Sequence, residues 1–220
     1  MRELDFIQST HNKTKRNYVA RVTECNKAEC ATIALQCGKD YWDGSRYHGY
    51  GGYSSDGRWH SVAERIAKHY ELKPSDKILD IGCGKGFLLY ELTQVVPGIA
   101  VTGIDISTYG LENAKSEIKD RLQFCNATKL PFANNSFDLV LSLNTFHNLY
   151  NFELDSALKE MERVGKDKKY LVVESYRNEQ EKANLLYWQL TCRCFYTPEE
   201  WAWLYKKTGY TGDYGFIFFE

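Results

Sequence analysis

Charge of either sign is not in excess in this 220-residue chain: 28 lysines and arginines against 29 aspartates and glutamates leave a formal net charge of −1. Nucleic-acid-binding domains usually carry a strong basic excess, so no nucleic-acid partner is expected. Repeats and low-complexity segments are absent, and composition sets aside disorder, coiled coil and collagen. Long apolar runs are missing. None approaches the roughly 18 residues needed to cross a bilayer, and Met1-Arg-Glu-Leu-Asp-Phe6 is charged, with no apolar core after it to make a leader peptide. No membrane partner is expected. The seven cysteines (Cys25, Cys30, Cys37, Cys83, Cys125, Cys192, Cys194) are odd in number and contain no Cys-x-x-Cys pair. Reduced thiols, no metal site and a cytoplasmic location follow as expectations.

What is present is ordinary globular material, 43% apolar and 26% charged, of a length that suits one large domain. Residues 1–60 form an approach segment and 61–220 an α/β body. The approach opens with Lys13, Lys15, Arg16 and Arg21, passes through a helix over Ala28–Leu35, and ends in Tyr41-Trp-Asp-Gly-Ser-Arg-Tyr-His-Gly-Tyr-Gly-Gly-Tyr53. Glycines interleaved with aromatics suit a lid that closes over a ligand. In the body, helical periodicity over Ser61–Tyr70 is followed by strands at Lys77–Ile81, Ala100–Ile104, Leu122–Cys125, Phe137–Leu143 and Lys169–Glu174. Helices over Gly86–Gln94, Leu111–Ile118 and Leu154–Val164 separate them. Such alternation predicts a single doubly wound, mostly parallel sheet with helices on both faces. Thr197-Pro-Glu-Glu200 opens a further helix, and Gly215–Phe219 reads as a buried closing strand. An insertion at about 176–197, carrying Arg177, Tyr187 and Trp188, is expected to wall the substrate side.

The segment Ile78-Leu-Asp-Ile-Gly-Cys-Gly-Lys-Gly86 runs a strand into a glycine turn and then a helix. Glycines let a ligand approach the backbone, and the helix start offers unpaired N–H groups. A dinucleotide fold wants Gly-x-Gly-x-x-Gly, but Phe87 stands where its third glycine belongs.

The turn resembles that of the class I S-adenosylmethionine-dependent methyltransferases, whose first motif is an acid followed by Gly-x-Gly-x-Gly. The resemblance implies a Rossmann-like fold and S-adenosylmethionine as cofactor. It places Asp80 near the methionine amino group and the backbone of Gly82, Gly84 and Gly86, with Cys83 between them, along the cofactor. Asp105, ending Val101-Thr-Gly-Ile-Asp, takes the place of the acid on the ribose hydroxyls, with Ile106 next to it. Asn126 and Ala127 match the pair near the adenine, with Asn126 where Asp is commoner. Asn144 closes the fourth match, Asn135-Ser-Phe-Asp-Leu-Val-Leu-Ser-Leu-Asn144. The family usually closes its sheet with an antiparallel strand pair; residues 208–220 leave room for one strand and a short second.

Methyl transfer from a sulfonium needs alignment and, for a hydroxyl or protonated amine, a base. His147, just past strand four, and Glu174, at the end of strand five, are the catalytic candidates, each with a structural alternative as pocket wall or cap. Tyr50 and Arg58 of the lid region are candidate cofactor contacts. The expected acceptor is a small molecule methylated at oxygen or nitrogen; the basic run reads either as a solvated face or as the grip on an anionic or nucleotide-linked acceptor. No Asn-Pro-Pro-Tyr or Asp-Pro-Pro-Tyr sequence, the mark of amino-directed nucleic-acid enzymes, is present. A monomer or homodimer is expected. The alternatives are a non-catalytic S-adenosylmethionine-binding regulator and a nicotinamide-dependent oxidoreductase.

Overall fold

The computed structural model describes residues 1–7 and 16–220. Six strands form one sheet in the order β3-β2-β1-β4-β5-β6: β1 (Lys77–Ile81), β2 (Ala100–Asp105), β3 (Leu122–Phe124), β4 (Phe137–Leu143), β5 (Gly165–Glu174) and β6 (Asp213–Ile217). Every pairing is parallel. The short helices α1 (Ala20–Thr23), α2 (Lys27–Ala34) and α3 (Lys39–Trp42) precede α4 (His60–His69). The helices of the body are α5 (Phe87–Val95), α6 (Thr108–Glu112), α7 (Asn151–Val164), α8 (Glu179–Trp188) and α9 (Pro198–Thr208).

Parallel strands covered on both sides are apolar at most positions, and side chains of alternating residues go to opposite faces. One face receives Ile78 of β1, Leu139 and Leu141 of β4, and Tyr170 and Val172 of β5, packed under Val62 and Ile66 of α4 and Leu89 and Leu92 of α5. The other receives Leu79, Ile81, Val140, Leu171 and Val173, packed under Leu158 and Met161 of α7 and Trp201 and Tyr205 of α9. Each of these side chains gains about 1.5–3 kcal/mol on burial, which is what holds helices to both faces.

The chain winds outward from β1 through β2 to β3, returns to β4 beside β1, and then winds the other way. Such a reversal opens a crevice at the carboxyl ends of the two central strands. The glycine turn and Asn144 follow those ends, and Asp105 and Glu174 end the flanking strands β2 and β5 on the same side.

The doubly wound parallel sheet is as expected, and one helix boundary is corrected. Among the described residues β6 too runs parallel to β5, pairing Tyr170 with Asp213 and Glu174 with Ile217. Among the described residues no antiparallel pair closes it. Instead, residues 2–4 lie along the outer edge of β6: Leu4 N donates to Tyr214 O at 2.7 Å and Tyr214 N to Arg2 O at 3.0 Å. The helix expected over 111–118 begins earlier and ends at Glu112, because Ser107 Oγ accepts from Gly110 N and starts it there. Beyond it, to residue 118, only Ile118 is buried. The helix from Thr197 forms with a reciprocal cap: Thr197 N donates to Glu200 and Glu200 N to Thr197. Among the described residues no helix is long and apolar enough to cross a membrane.

Candidate active site

The glycine turn is bare where it must be. At Gly84, φ is +56° and a Cβ would lie 2.6 Å from the Trp42 ring; at Gly82, φ is +84° and a Cβ would overlap the Thr145 side chain. Asp105, at the end of β2, braces the turn from below. Its Oδ2 accepts from Gly84 N at 2.7 Å and its Oδ1 from Ser107 N at 2.8 Å. Asp80 is different. It is 5% exposed, and among the described residues its Oδ1 has no hydrogen-bond partner. Burial, with the nearby Asp105 charge adding to it, pushes its carboxyl up to about 7. The Oδ1 of Asn144, a residue held at φ +60°, is likewise buried without a partner. Asp80 and Asn144 line a small cavity of about 50 Å³ with Gly82, Cys83 and Gly84.

Over this turn sits the Gly/aromatic segment. Trp42 donates from Nε1 to Ser107 Oγ at 2.7 Å and stacks on Tyr50 with centroids 5.2 Å apart and planes at 4°. Tyr53 stacks on Phe87 at 5.1 Å. Lys85, 5% exposed within the turn, pairs with Asp43 at 2.7 Å and donates to Tyr53 O at 2.8 Å. Asp43 also accepts from Tyr109 Oη at 2.9 Å and Tyr53 N at 3.1 Å. Neither Trp42 nor the Asp43–Lys85 pair is among the expected site residues. A lysine between the second and third glycines was the available signal, since a buried ammonium needs a carboxylate.

A larger cavity of about 360 Å³ lies alongside and shares Tyr50, Tyr53, Trp59 and Asn144 with the small one. Arg16, Arg21, Arg46, Arg58, His147 and Glu174 line it as well. Glu174 is 4% exposed; its Oε1 accepts from the Gln189 side-chain amide, while among the described residues Oε2 has no hydrogen bond. Burial raises its carboxyl to about 8. His147, in the 3₁₀ turn Phe146–Asn148 after β4, is buried and pushed down to about 3 by desolvation, so its ring is neutral. Its Nδ1 accepts from Glu174 N at 3.3 Å, and Nε2 lies 3.4 Å from Glu174 Oε2.

The crevice thus gathers Asp80, Gly82, Cys83, Gly84, Asn144 and Tyr50 at the small cavity, and His147, Glu174 and Arg58 at the large one. Arg58 is at its margin, in an ion pair with Asp56 at 2.6 Å. Gly86, Asp105, Ile106, Asn126 and Ala127 line neither cavity. Ile106 is 52% exposed, Ala127 is buried, and Asn126 Oδ1 accepts from Thr128 N at 2.9 Å. Of the basic run, Arg16 and Arg21 reach the larger cavity; Lys13 and Lys15 lie outside the described residues. Cys192 and Cys194 are buried, with Cys194 Sγ 3.1 Å from Leu149 O.

Residues 72–209 match the family described as "Methyltransferase domain". The chain belongs to this family. Demethylmenaquinone methyltransferase of Symbiobacterium thermophilum is 36% identical over 118 residues, covering 50% of this chain and 46% of that protein. The 27-O-demethylrifamycin SV methyltransferase of Amycolatopsis mediterranei is 30% identical over 118 residues, covering 49% and 43%. The chain therefore spans less than half the length of these two relatives. Among solved structures, the YcgJ protein of Bacillus subtilis superposes with a TM-score of 0.55 at 21% identity, covering 66% of each chain. The [4+2]-cyclase SpnF also gives 0.55, at 22% identity, covering 77% of this chain and 61% of that one. These two likenesses show the fold alone.

S-adenosylmethionine is the cofactor this membership implies, and the turn fits it. The molecule carries an ammonium and a sulfonium. Asp80 and Asn144, which line the small cavity, each carry a buried oxygen without a hydrogen-bond partner among the described residues, and both are acceptors that such charges would satisfy.

Proposed function

We propose that this chain methylates an oxygen or nitrogen of a small anionic molecule held in the larger cavity, with S-adenosylmethionine as donor and Glu174 as base. The single observation that carries the reading is the shared wall. Asn144 and Tyr50 border both the cofactor-side cavity and the cavity lined by Glu174. A donor at one and an acceptor at the other would meet across that wall.

Asp80 and Asn144 would hold the amino acid end of the donor, and the backbone of Gly82, Cys83, Gly84 and Gly86 would line it. Each oxygen of Asp105 accepts one backbone N–H and keeps lone-pair capacity for a ribose hydroxyl. Ile106, Asn126 and Ala127 would border the adenine. S-adenosylmethionine supplies an already activated methyl group, so the remaining work is alignment, exclusion of water and removal of one proton. Segment 1–60 would cover the crevice as a lid, with Tyr50 and Arg58 facing the ligands, and segment 176–197 would wall it.

Glu174 suits the base role better than His147. The imidazole spends Nδ1 on the Glu174 N–H and turns Nε2 toward the carboxyl. It orients Glu174. With its carboxyl near 8, roughly a tenth of Glu174 is ionised at pH 7, and that fraction can take a proton from an acceptor hydroxyl or ammonium.

Calorimetric titration of adenosylhomocysteine into the protein and its Asp105→Ala variant tests the reading. Micromolar binding that the variant loses, followed by transfer of labelled methyl to a small acceptor, is expected. Binding of nicotinamide dinucleotides instead would overturn it. Binding without turnover on any acceptor would favour a regulator.

A further inference from the structure

Trp188 ends α8, and three guanidinium groups gather on its indole. The Cζ atoms of Arg16, Arg21 and Arg46 lie 5.4, 5.0 and 5.1 Å from the ring centroid. All three side chains line the larger cavity.

Arg21 is 7% exposed. Its Nε donates to Trp188 O at 3.2 Å and its Nη1 to the carbonyl of Arg46. Arg46 donates from Nη1 to Gly49 O at 2.9 Å and Tyr50 O at 3.0 Å. Carbonyls orient these guanidinium groups without neutralising them. Among the described residues no carboxylate lies within ion-pair distance of Arg21 or Arg46, in contrast to Arg58, which has Asp56. Nor does a hydrogen bond engage Nη2 of Arg21, or Nε and Nη2 of Arg46, among those residues. Desolvation lowers the pKa of both groups, and Arg46 lowers that of Arg21 further by like charge.

Arg21, buried, and Arg46, exposed at the cavity's edge, stand beside each other, are oriented by neutral carbonyls and line one cavity, an arrangement that suits an anion from outside the chain. Planar guanidinium forks bind paired oxygens in parallel, and phosphate oxygens match them well. Charge counting narrows the class further. Two cations without a protein counter-charge match a dianion, whereas a monocarboxylate would leave one uncompensated.

On the reading of this cavity as the acceptor pocket, we propose that Arg21 and Arg46 bind a dianionic phosphate group carried by the acceptor, a phosphate monoester or a pyrophosphate. The Trp188 ring lies within cation–π distance of both guanidinium groups. The acceptor would then be held at two points: its phosphate on the arginines, its nucleophile beside Glu174. The rival occupant is the carboxylate of the cofactor itself, which is a monoanion.

Inorganic phosphate, pyrophosphate and acetate, titrated calorimetrically with and without saturating adenosylhomocysteine, separate the possibilities. Pyrophosphate is expected to bind with adenosylhomocysteine already present, at least tenfold tighter than acetate. The affinity should fall tenfold or more in Arg46→Gln and in Arg21→Gln, and weaken as ionic strength rises. Arg46 is in the lid loop, so its variant serves even if Arg21→Gln does not fold; circular dichroism melts establish which variants are folded. Displacement of phosphate and pyrophosphate by adenosylhomocysteine would assign the arginines to the cofactor and overturn the proposal. So would equal affinity for acetate, or a folded Arg46→Gln variant that binds pyrophosphate undiminished. A wild-type protein that binds adenosylhomocysteine but none of the three anions refutes this inference alone. One that does not bind adenosylhomocysteine refutes the methyltransferase reading beneath it.

Discussion

The main-chain N–H of Glu174 donates to Nδ1 of His147 at 3.3 Å, which leaves the ring proton on Nε2, 3.4 Å from the Glu174 carboxyl. A backbone donor is therefore what sets the tautomer of the imidazole. The pair sits at the ends of β4 and β5, strands that are themselves adjacent. Methyl transfer is expected to rise with pH through a midpoint near 8, where Glu174 ionises. Replacing Glu174 with Gln should remove that limb and lower kcat by about 10²–10⁴-fold. His147→Phe should shift the midpoint and lower kcat less, as suits a positioning residue. A pH–rate profile of each variant decides this, and persistence of the midpoint in Glu174→Gln would eliminate Glu174 as the base.

Asp80 titrates near 7 because it is buried beside Asp105. Its ionised form, the better partner for an ammonium, is populated above that pH. Adenosylhomocysteine should therefore bind more tightly as pH climbs from 6 to 8, and the Asp80→Asn variant should bind weakly with little change over the same range. Calorimetry at three pH values checks the sign. Tighter binding at the lower pH would contradict the assignment.

Gly84→Ala combines two penalties: a side chain at φ +56° and a Cβ 2.6 Å from the Trp42 ring. The first alone costs on the order of 1–2 kcal/mol. The variant should displace Trp42, blue- or red-shift its fluorescence, and lose adenosylhomocysteine binding. Thermal melts and emission spectra measure both, and an unchanged spectrum would show that Trp42 does not rest on the turn.

Lys85→Met removes the ammonium that ties Asp43 and the Tyr53 carbonyl to the turn. Methionine fills similar space, so the body should stay folded while the segment over the turn loosens. Trypsin should then cut faster after Lys39 and Arg46 than in the parent protein. Equal cleavage rates would mean that the aromatic stacking alone holds this segment down.

Much of the fold is legible in the sequence because buried parallel strands are short, mostly apolar runs; Lys77–Ile81 and Phe137–Leu143 are read at their observed boundaries. The direction of β6 is not legible. An apolar run such as Gly215–Phe219 is the same whichever way it lies, and its direction depends on where the chain leaves α9. The glycine turn and the placement of His147 and Glu174 at strand ends could be read because they are local patterns. Gln189 on Glu174, Trp188 under the arginines and Trp42 on Gly84 could not. Each of them reaches its partner across distant sequence, and nothing periodic marks it.

Residues 2–4 lie against the outer edge of β6, with Leu4 N and Tyr214 N both engaged. Without them that strand would present a row of unpaired backbone groups, an open template for another chain. During synthesis the first residues leave the ribosome long before Asp213–Ile217 exist, so this shield can form only after the last strand arrives. Until then, nascent chains are most exposed to edge-to-edge association, and a deletion of residues 1–7 would make that brief hazard permanent, turning a question of fold into one of solubility.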